Sequence, residues 1–200
     1  SLKTHYMAMV DEDNRAEFSD GPVRVVNPDG GEFARFEARD YAEHIAERVE
    51  PWTYARLTYL RGRGWSGFRD GADSGLYRVA PLARLNAADA MQTPAADHER
   101  SEFFHALGGR PAHHTMATHW ARLICALQAA EHNARIARDP GLTSRDVRNR
   151  DFKISGHGVG AVEAPRGTLF HDYETDGRGI ITRVNRIVAT QTNAAPICLS

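Results

Sequence analysis

Between residues 112 and 139 apolar side chains recur at three- and four-residue steps: Met116, Trp120, Leu123, Ile124, Leu127, Ala130, Ala134 and Ala137. That spacing places them on one face of a helix. Asp139-Pro140-Gly141 ends it, because proline lacks the N–H and its ring clashes with the preceding turn. At 1.5 Å per residue the element would run roughly 40 Å, long enough to be the backbone against which shorter pieces pack. Ala117, Ala121, Ala126, Ala129 and Ala130 would let other helices approach closely.

Elsewhere the pattern is shorter. Residues 4–10 (THYMAMV) read as a strand. Pro22-Val23-Arg24-Val25-Val26 and Glu32-Phe33-Ala34-Arg35-Phe36 flank a Pro-Asp-Gly turn and read as a hairpin. Asp40 caps an expected helix through Ala42, Ile45, Ala46 and Val49, stopped near Glu50-Pro51. Trp52, Tyr54, Leu57, Tyr59 and Leu60 form an aromatic cluster expected in the core, and residues 61–69 a loop. A short strand at 76–79 leads into a helical turn at 81–86, and Thr93-Pro94 starts a helix through Phe103, Phe104 and Leu107 that Gly108-Gly109 ends. A second hairpin, 168–175 and 179–189, turns at Asp176-Gly177-Arg178-Gly179 and puts Leu169, His171 and Tyr173 on one face. The expected class is α+β: long helices packed together with antiparallel β-hairpins at the edges. The regions are 1–38 (hairpin), 39–150 (helical, with the long helix 112–139) and 151–200 (second hairpin), in one compact unit.

The chain has 200 residues, 42% of them apolar, enough to bury a core. A net charge of −1 argues against nucleic acid as a partner, since phosphate binding needs a basic excess. No run is long and apolar enough for a membrane span or a signal core, so a cytoplasmic-type chain is expected. Cys125 and Cys198 have no CxxC partner and indicate neither a disulfide framework nor a sulfur metal site. His113, His114, His119 and His132 make no i, i+4 pair or HExxH, so no self-contained metal site is expected. Gly62, Gly64 and Gly67 lack the flanking strand and helix of a dinucleotide site, and Asp29 lacks the repeated carboxylates of a calcium loop.

The remaining candidate chemistry lies in Glu163-Ala164-Pro165-Arg166-Gly167. Proline fixes one backbone angle and glycine frees another, so Arg166 sits on a stiff, sharply turned segment. Its guanidinium is a permanent cation with a rigid fork of donors. The plain alternative is an arginine salt-bridged at the surface of a turn. Arg84 is either a second, buried and paired arginine or a surface charge.

The run as a whole resembles the large, metal-bearing subunit of nickel–iron hydrogenases of the soluble NAD-, deazaflavin- or viologen-linked kind. The residues that carry the resemblance are Gly158, Gly160, Val162 to Leu169, His171, Tyr173 and Val188-Ala189-Thr190-Gln191-Thr192-Asn193, read as a strand end. Val79 to Asn86 and Thr118-His119-Trp120-Ala121-Arg122 extend it, so that it covers nearly the whole chain.

The resemblance implies reversible heterolytic cleavage of dihydrogen at a nickel–iron centre carrying cyanide and carbon monoxide. It implies Arg166 over the open coordination position, Pro165 lining the pocket, and Glu163 orienting the turn. Thr190 and Gln191 match a pair placed near cyanide, with Gln191 a departure from the usual hydroxyl residue and Asp172 a second departure. The implied partners are electron-transfer subunits and the iron–sulfur small subunit of hydrogenase. Large subunits of this kind hold their metals with two CxxC pairs, and neither pair is in this sequence. The expectation is therefore a central piece of a larger subunit, itself without nickel and inactive. Two other readings stand beside it: a nickel-free relative such as the quinone-reactive subunit of respiratory complex I, and a scaffold or subunit-contact module with no catalysis.

Overall fold

The computed structural model describes residues 1–148 and 151–200. Strand β1 (His5–Met9) pairs antiparallel with β2 (Val23–Val26), which pairs antiparallel with β3 (Glu32–Phe36). After a single helical turn, α1 (Tyr41–His44), β4 (Ile45–Arg48) and β5 (Leu57–Leu60) form a separate two-stranded ribbon. Strand β6 (Tyr77–Arg78) returns parallel to β1, completing a four-stranded sheet in the order β3-β2-β1-β6. Helices α2 (Pro81–Ala87), α3 (Pro94–Ala106) and α4 (Ala117–Ile136) follow. A three-stranded antiparallel sheet, β7 (His157–Ala164), β8 (Gly167–Thr175) and β9 (Ile181–Ile187), leads to the last helix, α5 (Ala189–Leu199). The class is α+β, as the sequence pattern indicates.

Strands β1 and β2 are buried along their whole length because both faces are covered. Successive side chains alternate between the faces. Tyr6, Ala8 and Val26 pack on Ala83 and Ala87 of α2. Met7, Met9, Val23 and Val25 pack the other way, with Phe36, Tyr41, Phe170 and Ile187. Behind α2, Leu82 and Leu85 meet Phe103 and Phe104 of α3 and Ala121, Ile124 and Cys125 of α4. The central sheet thus lies between a helical layer and the β7–β9 sheet.

Several elements differ from expectation. The helix expected through Val49 stops at His44, and Ile45–Arg48 is a strand. Ala42 and Val49, half of the expected apolar stripe, are exposed, whereas Ile45 and Ala46 bury against β5. The region 39–150, read as helical apart from the strand expected at 76–79 (β6), therefore also carries β4 and β5; its boundary at 150 falls outside the described residues. Helix α4 is 20 residues, not the whole of 112–139. Its N-terminal side is held extended by tertiary bonds: Ala112 N–H to Asn86 Oδ1 (2.9 Å) and Tyr6 Oη to His113 Nδ1 (2.6 Å). Its buried face is Ala121, Ile124, Cys125 and Gln128, while Met116 and Leu123 of the expected stripe are exposed. Residues 189–193, read as the end of a strand, begin α5 instead. The β-branched Val188, Thr190 and Thr192 suggest a strand, but Ala189, Thr192, Ala195 and Pro196 bury at helical spacing.

Candidate functional site at the Pro-Arg-Gly turn

Strands β7 and β8 pair without a break to Ala164↔Gly167, which leaves Pro165-Arg166 as a two-residue loop. Tight hairpin loops that match strand twist need a positive φ at their first residue, which proline cannot adopt. The left-handed residue is instead Gly167, at φ 123°. A Cβ on Gly167 would stand 2.5 Å from Ala80 N and 2.6 Å from Val79 Cβ, so the turn seats directly on the β6–α2 link. Ala80 in that link has φ 124°, a strained angle for a residue with a side chain.

Below the turn, Glu163 is a buried anchor. Its carboxylate accepts from Met9 N–H (3.1 Å), Thr168 Oγ1 (2.5 Å) and Arg84 Nε (2.5 Å). Arg84 is therefore the buried, paired arginine of the two possibilities. It also donates from Nη2 to Ala164 O, and its guanidinium lies 5.2 Å from the centre of the Phe18 ring. Burial by itself would lower its pKa; the Glu163 charge outweighs that and holds it above the usual arginine value.

Two further donors reach the loop. Arg122 Nη1 of α4 donates to Pro165 O (3.1 Å). Asn193 Nδ2 of α5 donates to Arg166 O (3.2 Å), while its Oδ1 accepts from Val79 N–H (3.0 Å). Beside them lies a cavity of about 250 Å³ whose lining includes Arg78, Leu82, Arg122, Arg166, Thr190 and Asn193. Arg78 is committed to Leu2 O, Thr4 Oγ1 and Tyr6 Oη. Arg166 is exposed, and among the described residues its guanidinium has no hydrogen-bond or ion-pair partner. An unpaired fork of donors on a cavity wall suits an anionic or polarisable occupant.

The residues singled out in the sequence divide accordingly. Arg166 and Thr190 line the cavity, Pro165 is exposed at the loop beside it, and Glu163 lies beneath. Gln191 does not join them. It follows Thr190 on a helix and so points about 100° away around the axis. Its amide Nε2 donates to Glu47 Oε1 (2.7 Å) and its Oε1 accepts from Val188 N–H (3.4 Å), in a groove with Tyr54, Arg56 and Arg186. His171, which shares a face with Tyr173, bonds the Tyr173 hydroxyl at 2.8 Å and stacks on that ring. Asp172, to which the sequence attached no role, is buried on the opposite face of β8. It accepts from Tyr41 Oη (2.8 Å) and pairs with His157 Nε2 (2.8 Å). Burial pushes its carboxyl up, but Tyr41 and His157 more than offset that and leave it below the usual aspartate range. Arg122 and Asn193 were quoted in the sequence only as part of a resemblance; no local signal revealed their reach to the turn.

The residues do not fit a metal-ligand set. Cys125 is buried on α4, with burial raising its thiol pKa, and Cys198 is exposed on α5. Among the described residues no three of His, Cys, Asp and Glu converge as metal ligands. What they do provide, among the described residues, is the unpaired Arg166 and the hydroxyl-bearing Thr190 on the wall of one cavity. Among the described residues no helix is long and apolar enough to cross a membrane.

No protein-family profile matches the chain. Individual proteins do. It is 46% identical over 193 residues to an iron-sulfur subunit of the F420-non-reducing hydrogenase of Archaeoglobus profundus, covering 96% of this chain and 40% of that protein. It is 38% identical over 190 residues to the beta subunit of the NAD-reducing hydrogenase HoxS of Cupriavidus necator, covering 94% of this chain and 37% of that one. Among solved structures it is similar to an NAD+-reducing NiFe-hydrogenase in its H2-reduced state, with a TM-score of 0.89, 35% identity, and 98% and 42% of the two chains covered. A Desulfomicrobium baculatum NiFeSe-hydrogenase, at 18% identity and a TM-score of 0.60, shares the fold alone. The chain thus spans about two fifths of the length of the relatives it matches. By sequence along nearly its whole length, and by fold, it belongs to the nickel–iron hydrogenase large subunits, as a stretch of one.

Proposed function

We propose that these residues form the guanidinium-bearing wall of the hydrogen-cleaving site of a nickel–iron hydrogenase. The observation that carries the reading is the unpartnered Arg166 guanidinium, held beside a cavity on a turn anchored by a buried ion pair. A nickel–iron centre with cyanide and carbon monoxide, bound by thiolates from outside this chain, would supply the redox and hydrogen-binding chemistry. This chain's own residues would do the rest. Arg166 places permanent positive charge and directed donors where negative charge gathers, and such preorganised donors act most strongly where water is excluded. Pro165 narrows the loop's motion, Thr190 offers a hydroxyl to the same cavity, and Glu163 fixes the turn from beneath. Gln191 is left out of this set because of where its amide points.

The same proposal assigns the parent protein reversible heterolytic dihydrogen cleavage, with electron-transfer subunits and an iron–sulfur small subunit as partners. The relatives are named as subunits of hydrogenases, one of them NAD-reducing, which supports hydrogen chemistry in an enzyme of several subunits; a cytoplasmic location belongs to the same proposal. In the full-length enzyme, Arg166→Lys should retain nickel by elemental analysis and lose roughly 10²-fold in hydrogen turnover, because an ammonium cannot copy the fork. Turnover within twofold of wild type would refute the assignment.

A further inference from the structure

Three successive carbonyls at the tip of the β7–β8 hairpin are each held by a side chain from a different helix. Ala164 O takes Arg84 of α2, Pro165 O takes Arg122 of α4, and Arg166 O takes Asn193 of α5. Carbonyls at an exposed hairpin tip can bond water at little cost, so satisfying them does not account for three converging donors. Position does. The Pro165 carbonyl lies in the peptide plane before the Arg166 Cα, and the Arg166 carbonyl in the plane after it. Because each peptide is planar, holding both oxygens fixes the two backbone dihedrals of Arg166 and hence the direction of its Cα–Cβ bond.

We propose that Arg122 and Asn193 are positioning residues for Arg166, clamping the two peptide planes on either side of it so that its guanidinium enters the cavity in one direction. This rests on the reading of Arg166 given above. Arg84 is the buried root of the clamp, and its removal would endanger folding. Arg122 is exposed and makes a single bond to the loop at 3.1 Å, so it can be changed while the core is left alone. Asn193 ties the loop to Val79 as well, and the loop, the β6–α2 link and α5 then hold one another in register.

The test uses the full-length enzyme in its native complex, with Arg122→Met, Arg122→Lys, Arg166→Ala and the Arg122→Met/Arg166→Ala double variant. Hydrogen-oxidation kcat and KM are measured together with amide hydrogen exchange over residues 164–168. The expected result for Arg122→Met is a kcat loss of roughly ten- to a hundredfold, the scale of a small misplacement of a reacting group, with KM within twofold. Exchange in the turn should quicken, and Arg122→Lys should restore most of both, since one N–H suffices for the carbonyl. In the Arg166→Ala background Arg122→Met should cost nothing further. An equal loss in that background would show that Arg122 acts independently of Arg166, and an Arg122→Met enzyme unchanged in kcat and exchange would show no clamp; either overturns the proposal. If Arg166→Ala itself turns over normally, the functional reading fails. The exchange data then decide the clamp alone: quickened and lysine-rescued supports it, unchanged overturns it. Asn193→Ala gives the same comparison from the other peptide plane.

Discussion

Glu163 and Arg84, 79 residues apart in the chain, meet at 2.5 Å with their side chains 0% and 5% exposed. The pair joins the end of β7 to the middle of α2 and sets the height of the Pro-Arg-Gly turn above the helical layer. A buried ion pair adds little net stability over a well-packed apolar pair, but breaking it leaves a charge without a counter-charge. Its value here is geometric.

Glu163→Gln should therefore destabilise the protein by about 3–5 kcal/mol, whereas replacing both partners with apolar residues of similar volume should cost clearly less. Urea denaturation of the single and double variants measures this. A loss under about 1 kcal/mol in Glu163→Gln would mean that Arg84 finds another partner.

Gly167 has two separate reasons to be glycine: its φ of 123° and the absence of room for a Cβ against Ala80 and Val79. Gly167→Ala should cost about 1–3 kcal/mol from backbone strain, with a further loss from displacing the β6–α2 link. Gly158 and Gly160 on the neighbouring strand meet nothing within 4 Å, so alanine at either should change the stability of this stretch by less than about 1 kcal/mol. Thermal unfolding of the three variants would separate the two cases. Equal tolerance at all three positions would refute the close seat of the turn.

Asp172 carries a pH dependence of defined sign. Its folded-state pKa is depressed, so its contribution is complete above the ordinary aspartate value near ~3.9 and fades as pH falls through the lower folded value. Denaturation midpoints followed downward from neutral pH should drop more steeply below about pH 4 in the wild type than in Asp172→Asn. At neutral pH the asparagine variant should be the less stable, since Tyr41 and His157 lose a charged acceptor. Parallel acid limbs would contradict this.

Part of this was legible in the residues. Strands β2 and β3 announce themselves by β-branched and aromatic runs around Pro-Asp-Gly, β1 by the short run at residues 4–10, and Arg166 by the proline and glycine on either side. The resemblance carried by the surrounding run located the family. The partners of the turn were not legible, because Arg84, Arg122 and Asn193 come from 79, 43 and 27 residues away and nothing local marks a side chain that reaches across the fold. Ala42, Ile45, Ala46 and Val49 fit a helical stripe as well as any true helix does; pairing with Leu57–Leu60 decided for a strand. At Val188 to Asn193 the resemblance implied a strand end, whereas burial of one face of α5 makes the run helical from Ala189. Gln191 was paired with Thr190 through the resemblance, but on a helix neighbouring residues point to different faces.

Everything proposed for Arg166 requires that the cavity beside it face a nickel–iron centre. Diffraction at the nickel absorption edge, from crystals of the full-length enzyme in its complex, tests it most directly. The expected result is an anomalous peak against the cavity wall formed by Arg166 and Thr190, with thiolates from outside these residues as its protein ligands. A nickel peak on another face, such as that of His157 and Asp172, or a fully active enzyme with no nickel peak at all, would contradict it.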